Sequence, residues 1–267
     1  MSTQPIYAII VAGGQGTRMG TETPKQFLKI KNKEIILHTI DAFLNAIPEA
    51  QLIIVHPSAH LQQMQDFTQQ VSSMHPIQLV AGGATRFDSV KNGLACIPLE
   101  AGIVLIHDGV RPNISVSLIK NCIQQAQEKG SAIPAVSLVD SIRKVSNQKN
   151  ESIDRNTLVA IQTPQTFQVA LIKRAFKQDY QDSFTDDASV VNAMQEPVYL
   201  IEGERYNIKI TTPEDLIIAE ALLNHAEYTF INFCKLLAAV FFCIQSTYRH
   251  LHFCSTHSYG YSSHQRY

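Results

Sequence analysis

Several things are scarce in this 267-residue chain, and each scarcity narrows what it can do. Surplus charge of either sign is missing: 22 Lys and Arg stand against 23 Asp and Glu, a formal net charge of -1. No global positive field draws in nucleic acid, so a nucleic-acid partner is not expected, and an anionic ligand must be met by local clusters of Lys and Arg. Cysteine is sparse and odd in number, 5 in all, and no two form a CxxC pair. That argues against a disulfide framework and suits a reducing cytosol. The N-terminus has no basic stretch leading into an apolar run and a small-residue cleavage site, so a cytoplasmic location is expected. The apolar stretch Phe230–Ile244 is only 15 residues long and is interrupted by Asn232 and Lys235. A membrane span needs roughly 20 apolar residues, so no membrane partner is expected either.

What is present is apolar material, 45% of the chain, enough to bury one sizeable core. From residue 6 to about 220, short apolar runs alternate with helical periodicity. That is the pattern of a Rossmann-like α/β fold, a mostly parallel sheet covered by helices. Strands are expected at Tyr7–Val11, Leu52–His56, Ile77–Val80, Ile103–His107, Ser131–Val136, Val198–Ile201 and Asn207–Ile210. Helices are expected at Ile36–Ala46, Ala59–Ser73, Arg86–Cys96, Val116–Glu128, Ala170–Phe176 and Pro213–Leu223. Ser115 suits an N-cap and Pro213 a first helical turn. Two stretches break the pattern. Residues 138–162 are polar, with turn-like Asn147–Asn150 between two short strands, and read as a protruding β-arm. Residues 224–267 read as a C-terminal extension beyond a 1–223 domain: an apolar helix, then a disordered His-, Ser- and Tyr-rich tail. The tail's His250, His252, Cys254 and His257 fit no closed zinc spacing.

The first strand runs into Ala12, Gly13, Gly14 and Gly16, followed by Arg18, Met19, Pro24, Lys25 and Gln26. Glycines let a backbone turn tightly and bring its N–H groups close to a ligand. The loop leaves the carboxyl end of a strand, where open α/β sheets bind ligands. It is not a Walker A motif, since no Gly-Lys-Ser/Thr follows at the required spacing. It is not a dinucleotide fingerprint, since Met19 stands where the third glycine belongs. It carries two cations, Arg18 and Lys25, of the kind that lower the barrier when one phosphate attacks another. A plain glycine turn with two solvated cations is the competing reading.

Four further segments carry candidate chemistry. Gly82, Gly83, Ala84, Thr85, Arg86 and Ser89 follow a strand and open a helix, so they are either a ligand loop or an ordinary helix start. His107, Asp108, Gly109, Val110 and Arg111 end another strand. A carboxylate there can hold Mg2+ beside phosphates, or can simply pair with Arg111 to close a turn; His107 reads as structural. Lys209 alternates with Ile208 and Ile210, which more often marks a solvated lysine. Thr185 and Asp186 each suit a helix N-cap.

Taken in order across residues 6 to about 222, these motifs resemble the 2-C-methyl-D-erythritol 4-phosphate cytidylyltransferase family of non-mevalonate isoprenoid synthesis. The resemblance implies a nucleotide-diphospho-sugar transferase type of fold. It implies CTP bound by Ala12, Gly13, Gly14, Gly16, Gly83, Ala84, Arg86, Ser89 and Gly109, and a Mg2+ ion on Asp108. Arg18, Lys25, Arg155 and Lys209 are implied as catalytic. Asp108, Arg111, Ser141, Arg155, Thr163, Thr185 and Lys209 are implied around a polyol phosphate. The arm implies a homodimer with a shared site. Gly109 and Val110 replace two alanines common in the family, and Asp140 with Ser141 replaces its Asp-Thr. Ribitol 5-phosphate or a hexose 1-phosphate as acceptor, or a non-catalytic nucleotide-binding module, are the alternatives.

Overall fold

The computed structural model describes residues 4–14, 19–20, 23–71, 77–98, 100–146 and 149–223. Gly16, Arg18 and the 224–267 extension lie outside the described residues. Met1–Glu220 forms one compact unit and Ala221–Tyr267 a second. The sheet and its covering helices belong to the first.

The elements, in chain order, are β1 (Ile6–Val11), β2 (Lys29–Ile30), β3 (Lys33–Glu34), α1 (Ile35–Ala46), β4 (Gln51–His56), α2 (Leu61–Gln70), β5 (Ile77–Ala81), α3 (Arg86–Ala95) and β6 (Ile103–Asp108). The second half adds α4 (Val116–Lys129), β7 (Ser131–Ser137), β8 (Ile142–Ser146), β9 (Lys149–Ile153), β10 (Val159–Ile161), β11 (Gln165–Gln168), α5 (Val169–Ala175), α6 (Asp187–Asn192) and β12 (Leu200–Glu202). Residues 213–220 are helical. Ser115 caps α4 as expected, its hydroxyl accepting from Leu118 N–H.

The main sheet has the order β10-β7-β11-β6-β1-β4-β5, with β12 added to β7. Strands β6, β1, β4 and β5 are parallel neighbours, whereas β11 runs antiparallel between β6 and β7. Alternation along β1 splits the core in two. Ala8 and Ile10 face α1, α2 and α4 through Ile40, Phe43, Met64 and Ile119. Tyr7 and Ile9 face α3, α5 and α6 through Val90, Ile172 and Val191. The central strands are buried on both faces, which explains their unbroken apolar runs. Register aligns their carboxyl ends: Val11 pairs with Val55 and with Asp108. Loops leaving β1, β5 and β6 therefore emerge on one edge.

Four expectations change. Asn207–Ile210 is not a strand, because its backbone bonds to turns instead: Asn207 N–H to Glu204 O and Ile210 N–H to Val110 O. β10 and β11 were not expected; the polar Gln165 and Thr166 hide a central strand. A 3-10 turn, Ser58–His60, replaces the start of the Ala59 helix. Short α6 is the fourth, a helix not expected as such, although it starts at the Asp186 N-cap that the sequence offers. Strands β8 and β9 pair only with each other among the described residues, as a hairpin within the 138–162 segment.

Candidate active site

A cavity of about 460 Å3 opens at the carboxyl edge of β1, β5 and β6. Its walls come from Ala12, Gly13 and Gly14 after β1, Gly83 to Arg86 after β5, Asp108 and Val110 at the end of β6, and from Lys25, Gln26, Ser89 and Lys209. Ten of the site positions expected from sequence thus meet in one place. Among the described residues, Lys25, Arg86 and Lys209 set three cations there against one carboxylate, that of Asp108.

Each wall has a local cause. The 3-10 turn Lys25–Phe27 is tied to the first loop by buried Gln26, whose Nε2 donates to Ala12 O at 2.8 Å. Phe27 anchors it against Phe67 and His60. Lys25 Nζ, held over the cavity, donates to Ile210 O at 3.0 Å. Thr85 caps α3 through a reciprocal capping box with Asp88, which fixes the loop before it. The Ser89 hydroxyl donates to Thr85 O and accepts from Gly83 N–H. Gly83 is required here: a Cβ would lie 2.2 Å from Asp88 Cβ.

Asp108 is the electrostatic centre. Lys209 Nζ lies 2.9 Å from one oxygen, Arg111 Nε 3.5 Å from the same oxygen, and Arg86 Nε 3.6 Å from the other. Burial opposes ionisation of Asp108, but Arg86, Lys209 and Arg111 outweigh it and hold the carboxyl well below the ordinary range. Arg86 is gripped from behind by Asp187, which accepts from both terminal nitrogens at 2.8 Å. Burial works against the charge on Arg86, and Asp187 with Asp108 more than restores it.

The expected metal can be tested on these contacts. Mg2+ takes oxygen ligands, usually one or two carboxylates together with substrate phosphates and waters. Both oxygens of Asp108 already face protein cations, and no group of three or more potential ligands occurs among the described residues. The described residues fit an anion rich in oxygen, and for Mg2+ they offer the carboxylate of Asp108, which would hold the ion only together with substrate phosphates.

The remaining expected positions lie elsewhere. Gly109 is buried, with its N–H bonded to Val11 O and its carbonyl to Thr39, so its polar groups are committed to the fold. Arg111 is 9% exposed and donates through a terminal nitrogen to Asn207 O. Thr163 is 5% exposed, its hydroxyl set between Asp108 and His107. Ser141, Arg155 and Thr185 are exposed and do not line the cavity; Arg155 bonds back to Val139 O. The sequence places Gln26 in the first-loop motif without a role for its side chain, and gives no sign of the parts played by Asp187 and Asn207. Asp187 stood within a segment already singled out, but nothing marked it apart from Asp186.

Comparisons with known proteins bear on this geometry. The sequence profile of the family described as 2-C-methyl-D-erythritol 4-phosphate cytidylyltransferase matches residues 6–225. A protein of that name from Bacteroides fragilis is 47% identical over 220 residues, covering 81% of this chain and 98% of the relative. Another from Porphyromonas gingivalis is 40% identical over 221 residues, covering 82% and 98%. Among solved structures, a 4-diphosphocytidyl-2C-methyl-D-erythritol synthase from Anaerococcus prevotii superposes with a TM-score of 0.71 at 28% identity, covering 83% of this chain and 99% of that one.

Proposed function

The chain belongs to the 2-C-methyl-D-erythritol 4-phosphate cytidylyltransferase family, and from that premise we propose how its cavity performs the transfer. The enzyme is a nucleotidyltransferase that joins CTP to 2-C-methyl-D-erythritol 4-phosphate and releases pyrophosphate. An acceptor phosphate oxygen attacks the α-phosphorus in line. A new P–O bond forms, the bond to the bridging oxygen breaks, and its electron pair leaves on pyrophosphate. A phosphomonoester has a second pKa of about 6, so near neutrality the attacking oxygen is already ionised and needs no general base.

The obstacle is repulsion between two anions. Lys25, Arg86 and Lys209 are the described cations that answer it, with Arg18 of the first loop as a further one. Backbone N–H groups of Gly13 and Gly14 suit the phosphates, and the loop Gly83 to Arg86 suits the base and ribose. Divalent-cation dependence is general among such transferases. In our reading Mg2+ comes complexed to the triphosphate, and Asp108, which gathers Lys209, Arg111 and Arg86, would hold the metal only together with those phosphates. Ser141, Arg155 and Thr185 would serve the acceptor in a homodimer, across the hairpin of a second copy. CTP is an intracellular nucleotide, which supports a cytoplasmic location.

The observation that carries this reading is the convergence of Lys25, Arg86 and Lys209 with the glycine loop in one cavity. Pyrophosphate release with CTP and Mg2+ tests it. Release with 2-C-methyl-D-erythritol 4-phosphate and little with ribitol 5-phosphate is expected; the reverse preference would move the enzyme to the ribitol activity. CTP binding without turnover of either would leave a non-catalytic module.

A further inference from the structure

His107 has no part in the reaction just described, yet it is fully buried one residue before Asp108. Each ring nitrogen has a partner. Nε2 lies 3.1 Å from Arg111 O, and Nδ1 lies 3.1 Å from Thr163 Oγ1. A carbonyl oxygen only accepts, so Nε2 carries the proton. The ring is fully buried and both its partners are neutral, a carbonyl and a hydroxyl, so it is held uncharged and Nδ1 presents a lone pair. The Thr163 hydroxyl then donates to Nδ1, and its oxygen is left to accept the Asp108 N–H at 3.1 Å. One imidazole therefore fixes two backbone points, the N–H of Asp108 and the carbonyl of Arg111, which bracket the turn after β6. The ring also lies against Phe43 of α1, centroids 5.0 Å apart, so it has little freedom to tilt.

We propose that His107 is a positioning residue for the transfer: through Thr163 and the Arg111 carbonyl it sets where Asp108 stands, and with it the cations gathered there. The inference rests on the cavity being the transfer site. An ordinary core histidine would contribute stability alone. A positioning histidine acts on catalysis through Asp108, because Lys209 pairs with that carboxylate at 2.9 Å and Arg111 and Arg86 lie within 3.6 Å of it. Misplacement by about 1 Å in such an array can cost on the order of 100-fold in rate.

The test combines kinetics with a readout independent of turnover. Thr163→Val keeps the shape and removes the hydroxyl; it should lower kcat by about 10- to 100-fold and change KM for CTP by less than about threefold. Thr163→Ser, which keeps the hydroxyl, should restore most of that loss. In an Asp108→Asn background, neither Thr163→Val nor His107→Phe should lower kcat further, because the three act as one unit. Undiminished kcat in folded Thr163→Val, or fully additive losses with Asp108→Asn, would overturn the proposal. If His107→Phe fails to fold, the two Thr163 variants still decide. Nitrogen NMR of labelled histidine should show the His107 ring with its proton on Nε2. A proton on Nδ1 would overturn the relay whatever the turnover. An inactive wild type with the expected tautomer would instead overturn the reading of the cavity.

Discussion

Arg86 reaches the cavity because Asp187 grips both its terminal nitrogens from the far side. Asp187→Ala leaves that guanidinium without its fork. Breaking a buried pair costs roughly 3–5 kcal/mol; Arg86 keeps 31% of its side chain in contact with water, so we expect about 2 kcal/mol here. The denaturation midpoint should fall at unchanged m-value, and CTP affinity should fall with it. His107 gives a second prediction at this scale. Its unfolded ring takes up a proton below about 6.5 and its folded ring only below about 4. Between those values the unfolded state binds more protons, so stability falls as pH drops from 6.5 to 4, by at most about 3 kcal/mol from this group. Unfolding measured against pH should show that part of the slope in the wild type and not in His107→Phe. Asp108, held below the ordinary carboxylate range, adds a loss at still lower pH. Lys25, Asp108 and Lys209 were legible in the sequence because each sits in a motif. Asp187 was not. Adjacent acids look alike in sequence, while here Asp186 caps a helix and Asp187 pairs with an arginine 101 positions away.

Strands and turns divide in a similar way. Parallel β1, β4 and β6 were readable because burial on both faces demands continuous apolar residues. Strand β11 was not, since Gln165 and Thr166 look like loop residues. Gln165 is tolerated inside because Nε2 donates to Asp186 and Oε1 accepts from Ala188 N–H. Asn207–Ile210 misled in the opposite sense: it alternates like a strand, but Gln162, Arg111 and Glu204 hold it as an ordered loop. That loop brings Lys209 to Asp108 and the Ile210 carbonyl to Lys25. The turn after β6 carries this chain's departure from the family's two alanines. A Cβ on Gly109 would stand 2.7 Å from Ile36 Cδ1 and 3.3 Å from Ala12 Cβ. Ile36 of α1 fills the space the missing methyl leaves. Gly109→Ala should cost about 1–2 kcal/mol by overpacking, and adding Ile36→Val, which removes that Cδ1, should recover part of it. Chemical denaturation of the two variants checks this.

Across the whole unit, the strand order decides the site. Parallel β1, β4, β5 and β6 in register put their loops on one edge, and the turn at Lys25 and the ordered loop at Lys209 fold onto that edge, so residues from positions 12 to 209 meet. The sequence showed which strands end in functional loops, but long-range partners such as the α6 acid or the antiparallel β11 depend on pairings that no local pattern encodes. Arg155 and Ser141 stay off the cavity of their own chain, which sets a test at this scale. If Arg155 serves the site of a second copy, as proposed, dimers mixing Arg155→Ala subunits with Lys25→Ala subunits should regain activity, because one of the two sites would then carry neither lesion. No recovery in verified mixed dimers would confine each site to one chain. The claim beneath all of this is that the cavity's cations serve the charge that builds as one phosphate attacks another. Turnover of Lys25→Ala at saturating CTP measures it most directly. kcat should fall by about 100-fold or more, with CTP affinity changed by less than about tenfold. Near-normal kcat in that variant would contradict it.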